Sequence, residues 1–167
     1  MHKKIRLNAA ATAGLLIILF FLIIAVFAPV IAPYDPKEMI ASYLPPSREH
    51  LLGTNDVGQD IFSEMVYGTR VSLYIGIFAA FIVTGVGTVL ALVSGYFGGV
   101  TDKIITAITN IAMAVPSLPL TVLLVAYLNP GKWSLIIAIS VTAWTGTARI
   151  LRSRVMQLKE LPFIKIE

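Results

Sequence analysis

Polar and apolar positions divide this chain into long greasy runs separated by short charged turns. A charge-free run extends from Leu7 to Tyr34, a second from Val71 to Thr101, a third from Ile104 to Gly131 and a shorter fourth from Ser134 to Ala148. The second run alone is 31 residues without an Asp, Glu, Lys or Arg. At ~1.5 Å per residue, roughly 20 helical residues cross a ~30 Å hydrocarbon core, so each of the first three runs is long enough to span a bilayer. The fourth is just long enough with Trp133 and Arg149 at its ends, the Trp ring suiting a membrane interface. The pattern predicts an all-α polytopic membrane bundle of four transmembrane helices, at about 8–33, 71–99, 103–129 and 133–150.

The segments between the runs carry their own signals. Pro29, Pro33 and Pro36 are expected to end the first helix, because proline cannot donate the next helical hydrogen bond. Residues 34–70 form a polar connection holding six acids and three bases. A structureless loop of that size is uncommon, so it is expected to be partly folded or functional. Within it, Asp60 to Tyr67 has the spacing of a short amphipathic helix, with Ile61, Phe62 and Met65 on one face, lying along the membrane surface. Gly95 to Gly99 and Thr101-Asp102-Lys103 read as a tight polar turn, and Asn129-Pro130-Gly131-Lys132 as another.

Two patterns lie inside the apolar runs. Gly87, Ala91, Gly95 and Gly99 recur every four residues, a spacing that puts small side chains on one helix face where another backbone can approach; small residues are also simply common in membrane helices. In the third run Pro116 and Pro119 remove two backbone donors near mid-membrane. Broken backbone at that depth is tolerated only where protein or a water-filled cavity satisfies the freed groups, so Met113 to Thr121 is expected to face the bundle interior or a pathway. A kinked helix without a transport role is the plainer alternative.

Composition agrees. Charged residues are 13% and apolar residues 57% of the chain, against ~25% and ~45–50% in soluble domains. With 167 residues there is room for one membrane domain, 1–167, and no separate soluble one. The net charge of +4 follows membrane topology and does not suggest nucleic acid as a partner. Four spans put the N-terminus, the 101–103 turn and segment 151–167 on one side, with nine of the 13 Lys and Arg residues. The bias of basic residues toward the cytoplasm then places both ends inside and the 34–70 loop outside. A basic start followed by an apolar core also fits a signal peptide, but proline directly follows each small-residue cleavage pattern (Val26 to Ala28, Val30 to Ala32), so an uncleaved first span is expected.

Several chemistries find no support. Gly131-Lys132 lacks the rest of a phosphate-binding loop, so ATP is not expected on this chain. His2 and His50 are isolated from any metal-ligand cluster, cysteine is absent, and no nucleophile motif is present. No catalytic, cofactor or metal residue is assigned, and no ionisable side chain sits within a span interior as in many proton-driven pumps.

The segment His50 to Gly76, "HLLGTNDVGQDIFSEMVYGTRVSLYIG", resembles the peptide/nickel class of ABC-transporter permease subunits, dipeptide permease C type. Leu52, Gly53, Thr54, Gly58, Asp60, Ser63, Gly68, Arg70, Ser72 and Leu73 stand where that family carries its outer motif. Further matches are Ser94 to Lys103, Ala114 to Leu118 and Trp144 to Glu160, in order along nearly the whole chain. Asn55 and Gln59 stand where the family usually has Asp and Arg, and Ala107 and Asn110 where an Arg and an Asp are often found three apart; losing both members of that second pair together strands no unpaired charge.

The resemblance implies the membrane subunit of a binding-protein-dependent importer of peptides or similar small solutes in the cytoplasmic membrane. A second permease subunit would complete the pore, two ATPase subunits would hold the ATP, and an extracytoplasmic substrate-binding protein would deliver cargo. Asn110, Pro116, Ser117, Pro119 and Thr121 become candidate pathway residues, and Gly53, Thr54, Gly58, Asp60 and Arg70 a candidate outer docking or gating motif. Arg149, Arg152, Arg154, Lys159, Glu160 and Glu167 become candidate ATPase-facing residues, although plain topology also explains their charge. Such permeases continue through a Glu-Ala-Ala loop into two more spans, so the chain is expected to be truncated at four of six. A non-transporting membrane protein and an ion-gradient-driven transporter remain as alternatives.

Overall fold

The computed structural model describes residues 8–161; Lys3, Lys4, Arg6, Lys165 and Glu167 lie outside the described residues. Among the described residues five helices follow one another: α1 (Ala9–Ile31), α2 (Ile61–Phe97), α3 (Gly99–Ala114), α4 (Ser117–Tyr127) and α5 (Lys132–Lys159). Three of them, α1, α2 and α5, are each long and apolar enough to cross a membrane, and the bent pair α3–α4 makes a fourth candidate. Most of the large apolar side chains of α1, from Leu15 to Phe27, are exposed, while Ala25 and Ala28 are buried. An apolar surface this wide is stable only against lipid or other membrane helices.

The chain divides into two compact units, Met1–Tyr74 and Ile75–Glu167. In the first, α1 runs through Pro29 and stops at Ile31. Pro29 does not end the helix as expected: it costs one backbone bond, and the turn still closes through Ala32 N–H to the Ala28 carbonyl at 3.0 Å. Pro33 does the ending. The residue before a proline is driven out of the helical region, and Ala32 is extended at φ −75°, ψ 122°.

Segment 34–60 then folds on itself, through backbone bonds such as Ile40 N–H to the Gly58 carbonyl at 2.9 Å and Tyr43 N–H to the Asn55 carbonyl at 3.1 Å. The stretch expected as a separate surface helix is the start of α2, which begins at Ile61 and runs 37 residues without interruption. Asp60 supplies the reason: its Oδ2 accepts the Ser63 N–H at 2.8 Å, capping the helix at its first turn.

In the second unit α3 and α4 both pack on α5. The elbow between α2 and α3 is Gly98 (φ 63°, ψ −153°) and Gly99 (φ 51°), so Thr101 to Lys103 are already helical rather than part of the turn. Positive φ is open to glycine at little cost and strained for most other residues. Between α3 and α4 the axis bends by 81°. Only Pro116 causes this, by forcing Val115 to φ −84°, ψ 125°. Pro119 sits in the first turn of α4, where a backbone N–H has no helical partner, and is harmless.

Gly87, Ala91 and Gly95 are buried. A Cβ on Gly87 would lie 2.8 Å from Thr147 Cβ, and one on Gly95 would lie 2.4 Å from Val155 Cγ1, so α2 meets α5 here at glycine distance. Gly99 does not share that face: it opens α3, with nothing within 4 Å of its Cβ position. Phe78 and Trp133 close the other end of this contact edge to face, centroids 5.8 Å apart.

Candidate functional site

The outer motif is a folded cap built from its own side chains. Thr54 Oγ1 donates to the Ala41 carbonyl at 2.6 Å and accepts the Leu44 N–H at 2.9 Å, tying three points of the segment together. Gly53 (φ 75°) and Gly58 (φ 85°) let this backbone close: a Cβ on Gly53 would lie 2.3 Å from the Leu44 carbonyl oxygen. Asn55 Oδ1 accepts the N–H groups of Val57 and Gln59, while its Nδ2 donates to Gln59 Oε1 at 3.1 Å and Glu64 Oε2 at 2.9 Å. Asn55 and Gln59, two of the four positions that depart from the pattern the resemblance implies, thus pair with each other through neutral amides.

At the centre of the cap His50 and Asp60 are both buried, at 5% and 1% exposure. His50 Nδ1 donates to Asp60 Oδ1 at 3.0 Å, and the His50 ring packs on Tyr34, centroids 4.8 Å apart. Ser63 Oγ accepts the Tyr34 N–H at 3.2 Å, which draws the end of α1 onto the start of α2. Burial pushes the Asp60 carboxyl up, but the Ser63 and His50 hydrogen bonds outweigh it and hold the group below its ordinary value. Four of the five outer residues singled out from sequence (Gly53, Thr54, Gly58, Asp60) are therefore the cap's own fastenings, and Arg70 stands apart, exposed on α2.

The break between α3 and α4 opens a cavity of about 530 Å³ against α5. Pro116, Ser117 and Thr121 line it, with Met113 from α3 and Thr142 and Thr145 from α5. The Thr121 and Thr142 hydroxyls face each other at 3.2 Å. Pro119 is not among its walls. Asn110 lies elsewhere, on a smaller cavity of about 60 Å³ between α2, α3 and α5, where its Oδ1 accepts Arg149 Nη2 at 2.9 Å. Of the five candidate pathway residues, three line the cavity at the break, Asn110 lines the smaller one, and Pro119 lines neither.

Beside Asn110 sits a charged cluster. Arg152 grips Asp102 with both arms of its guanidinium, Nε to Oδ1 and Nη2 to Oδ2, each at 2.5 Å. Ser94, fully buried on α2, donates to Asp102 Oδ1 and accepts Arg152 Nε at 3.2 Å. Such a two-pronged, charge-assisted contact is stronger and more directional than a single ion pair. Lys159 Nζ donates to the Tyr96 carbonyl at 2.9 Å, one of the last carbonyls of α2. Arg154 bonds only Gln157 of its own helix, at 3.2 Å among the described contacts, and Glu160 is exposed.

Of the residues expected to face an ATPase, three (Arg149, Arg152, Lys159) are thus bonded to other helices of the unit, and Glu167 lies outside the described residues. Sequence reasoning passed over Ser94, Asp102, Thr142 and Thr145. Asp102 did leave a signal: it is the only acid from Met65 to Lys159.

Comparison with known proteins bears on the whole of this arrangement. Residues 87–166 match the family described as binding-protein-dependent transport system inner membrane component, and residues 1–46 match the N-terminal transmembrane domain of oligopeptide transport permease C. The chain is 39% identical over 163 residues to an oligopeptide transport system permease of Bacillus subtilis, covering 96% of this chain and 53% of that protein. It is 36% identical over 164 residues to a dipeptide transport system permease of the same organism, covering 97% and 51%. With a dipeptide transport system permease of Alkalihalophilus pseudofirmus identity is 40% over 170 residues, covering 97% and 54%. The chain spans about half the length of the curated relatives it matches. Matched from its first span through its last helix, this chain belongs to the inner-membrane permease family of binding-protein-dependent ABC transporters, on the peptide-permease C branch.

Proposed function

We propose that the chain serves as one membrane subunit of an ATP-driven importer for short peptides or similar small solutes, with ATP held by two separate ATPase subunits. A second permease subunit would supply the rest of the pore, and a binding protein would dock on the outer side. The observation that carries this reading is the Pro116 break: an interruption of the helix whose Ser117 and Thr121 hydroxyls, with Thr142 opposite, line a cavity against α5. Hydroxyls and freed backbone groups are what a hydrated peptide backbone can bond to while crossing lipid. The names of the relatives, which include dipeptide, oligopeptide and glutathione transport, support the substrate class.

On this reading the basic end of α5 faces the cytoplasm and segment 34–60 faces out. The chain has no cysteine, so single introduced cysteines report sidedness directly. A cysteine at exposed Met39 is expected to react with an impermeant maleimide added to whole cells, and one at Met156 only after the membrane is opened. Uptake is tested by co-expression with candidate ATPase chains, a second permease and a binding protein of the same source. Accumulation of a labelled dipeptide that stops when the ATPase's catalytic residue is replaced supports the proposal; accumulation that persists and follows an ion gradient refutes it.

A further inference from the structure

Four polar side chains on α5 each bond a different place in the second unit. Thr142 meets Thr121 on α4, Arg149 meets Asn110 in the C-terminal half of α3, Arg152 meets Asp102 in the first turn of α3, and Lys159 meets the Tyr96 carbonyl near the end of α2. Their positions relative to Thr142 are 7, 10 and 17 residues on, which at ~100° per residue confines all four to about a third of the helix circumference. Along the same helix, Gly87 and Gly95 seat α2 at backbone distance from Thr147 and Val155.

An apolar helix contact can roll or slip by a residue at modest cost, because dispersion contacts are non-directional. A row of directional polar bonds to separate partners resists both. We infer that this polar edge of α5 is a rigid rod that passes displacement at its basic end to the Pro116 cavity, with Asp102, held by Ser94 and Arg152, as the positioning residue that keys α3 to it. The inference rests on the importer reading, because it assigns the rod a load to carry; the rod's stiffness is a property of this chain alone. From Thr142 to Lys159 the lever is about 25 Å long at ~1.5 Å per residue.

Two measurements separate the two ideas. Spin labels on Lys103→Cys and Gln157→Cys in the reconstituted chain report the α3 to α5 distance, on a background free of native cysteine. A narrow distance distribution is expected, at least doubling in width in Asp102→Asn and widening less in Ser94→Ala, which keeps the ion pair. An unchanged width in both variants overturns the rod. In the assembled transporter, solute moved per ATP hydrolysed is expected to fall about fivefold or more in Asp102→Asn, the scale of ordinary coupling energies, and to recover in part when Asp102→Arg is combined with Arg152→Asp. A ratio within about twofold of wild type in Asp102→Asn overturns the transmitting role even if the distances broaden. Absence of ATP-driven transport by the wild-type chain overturns the importer reading and leaves the distance result to judge the rod.

Discussion

Replacing Gly87 by Ala isolates the packing energy of the α2–α5 contact, provided it is compared with Gly85→Ala two residues away. Both substitutions add one methyl to the interior of the same helix, and both gain about 1 kcal/mol of helix propensity. They differ in what the methyl meets. At Gly85 nothing lies within 4 Å; at Gly87 the new Cβ falls 2.8 Å from Thr147 Cβ and Cγ2 and 3.0 Å from the Ala148 backbone nitrogen. Thr147 cannot swing clear, since its Cβ is one of the clashing atoms, and the backbone of α5 must yield. Overpacking of this kind costs typically ~1–3 kcal/mol. Because the propensity gain cancels in the comparison, Gly87→Ala is expected to be about 1–3 kcal/mol less stable than Gly85→Ala. Gly85→Ala itself should exceed wild type by up to about 1 kcal/mol. Unfolding titrations in mixed dodecyl maltoside and SDS micelles, followed by the fluorescence of Trp133 and Trp144, measure the difference. If the two variants unfold at the same detergent fraction, the close seating of α2 on α5 is wrong, whatever their position relative to wild type.

Other substitutions probe the remaining contacts. Gly95→Ala should destabilise through Val155, and adding Val155→Ala should recover part of the loss, since it removes the Cγ1 at 2.4 Å but leaves the Cβ at 2.9 Å; no recovery in the same titration contradicts the assigned clash. Gly53→Ala should loosen the outer cap by at least ~1–2 kcal/mol from its left-handed backbone alone, with the Leu44 carbonyl clash added; faster proteolysis within segment 35–60, with the membrane helices intact, is the readout. The Asp60 carboxyl sits below its ordinary value when folded, so its contribution is complete above that ordinary value and fades as pH falls through the folded one. Cleavage of the cap by an acid-active protease should therefore quicken below about pH 4, while Asp60→Asn should start from a looser cap, by about 1–3 kcal/mol, and lose most of that acid-dependent change.

Much of the architecture could be read directly from residue order. Hydropathy is local and additive, so the greasy runs mark their helices whatever packs on them, and the steric effect of proline on its predecessor is local too, which is why Ala32 and Val115 are where helices end. The spacing of Gly87, Ala91 and Gly95 likewise announces a close contact. It cannot name the partner, and it extended one step too far, to Gly99, because a left-handed elbow interrupts the period there.

What tertiary structure alone decided is which distant polar groups meet. Arg152 and Asp102 are 50 residues apart and Arg149 and Asn110 are 39 apart, so their pairing depends on how the helices seat against one another. Sequence could assign those basic residues to a membrane side by charge count; only the packed helices give three of them, Arg149, Arg152 and Lys159, partners on other helices. The outer motif shows the same division, since its glycines and Asp60 were visible as a pattern, while the cap they fasten exists only once Leu44, His50 and Tyr34 close around them. Burial of apolar length is fixed residue by residue, whereas directional bonds across the fold need the backbone in place first.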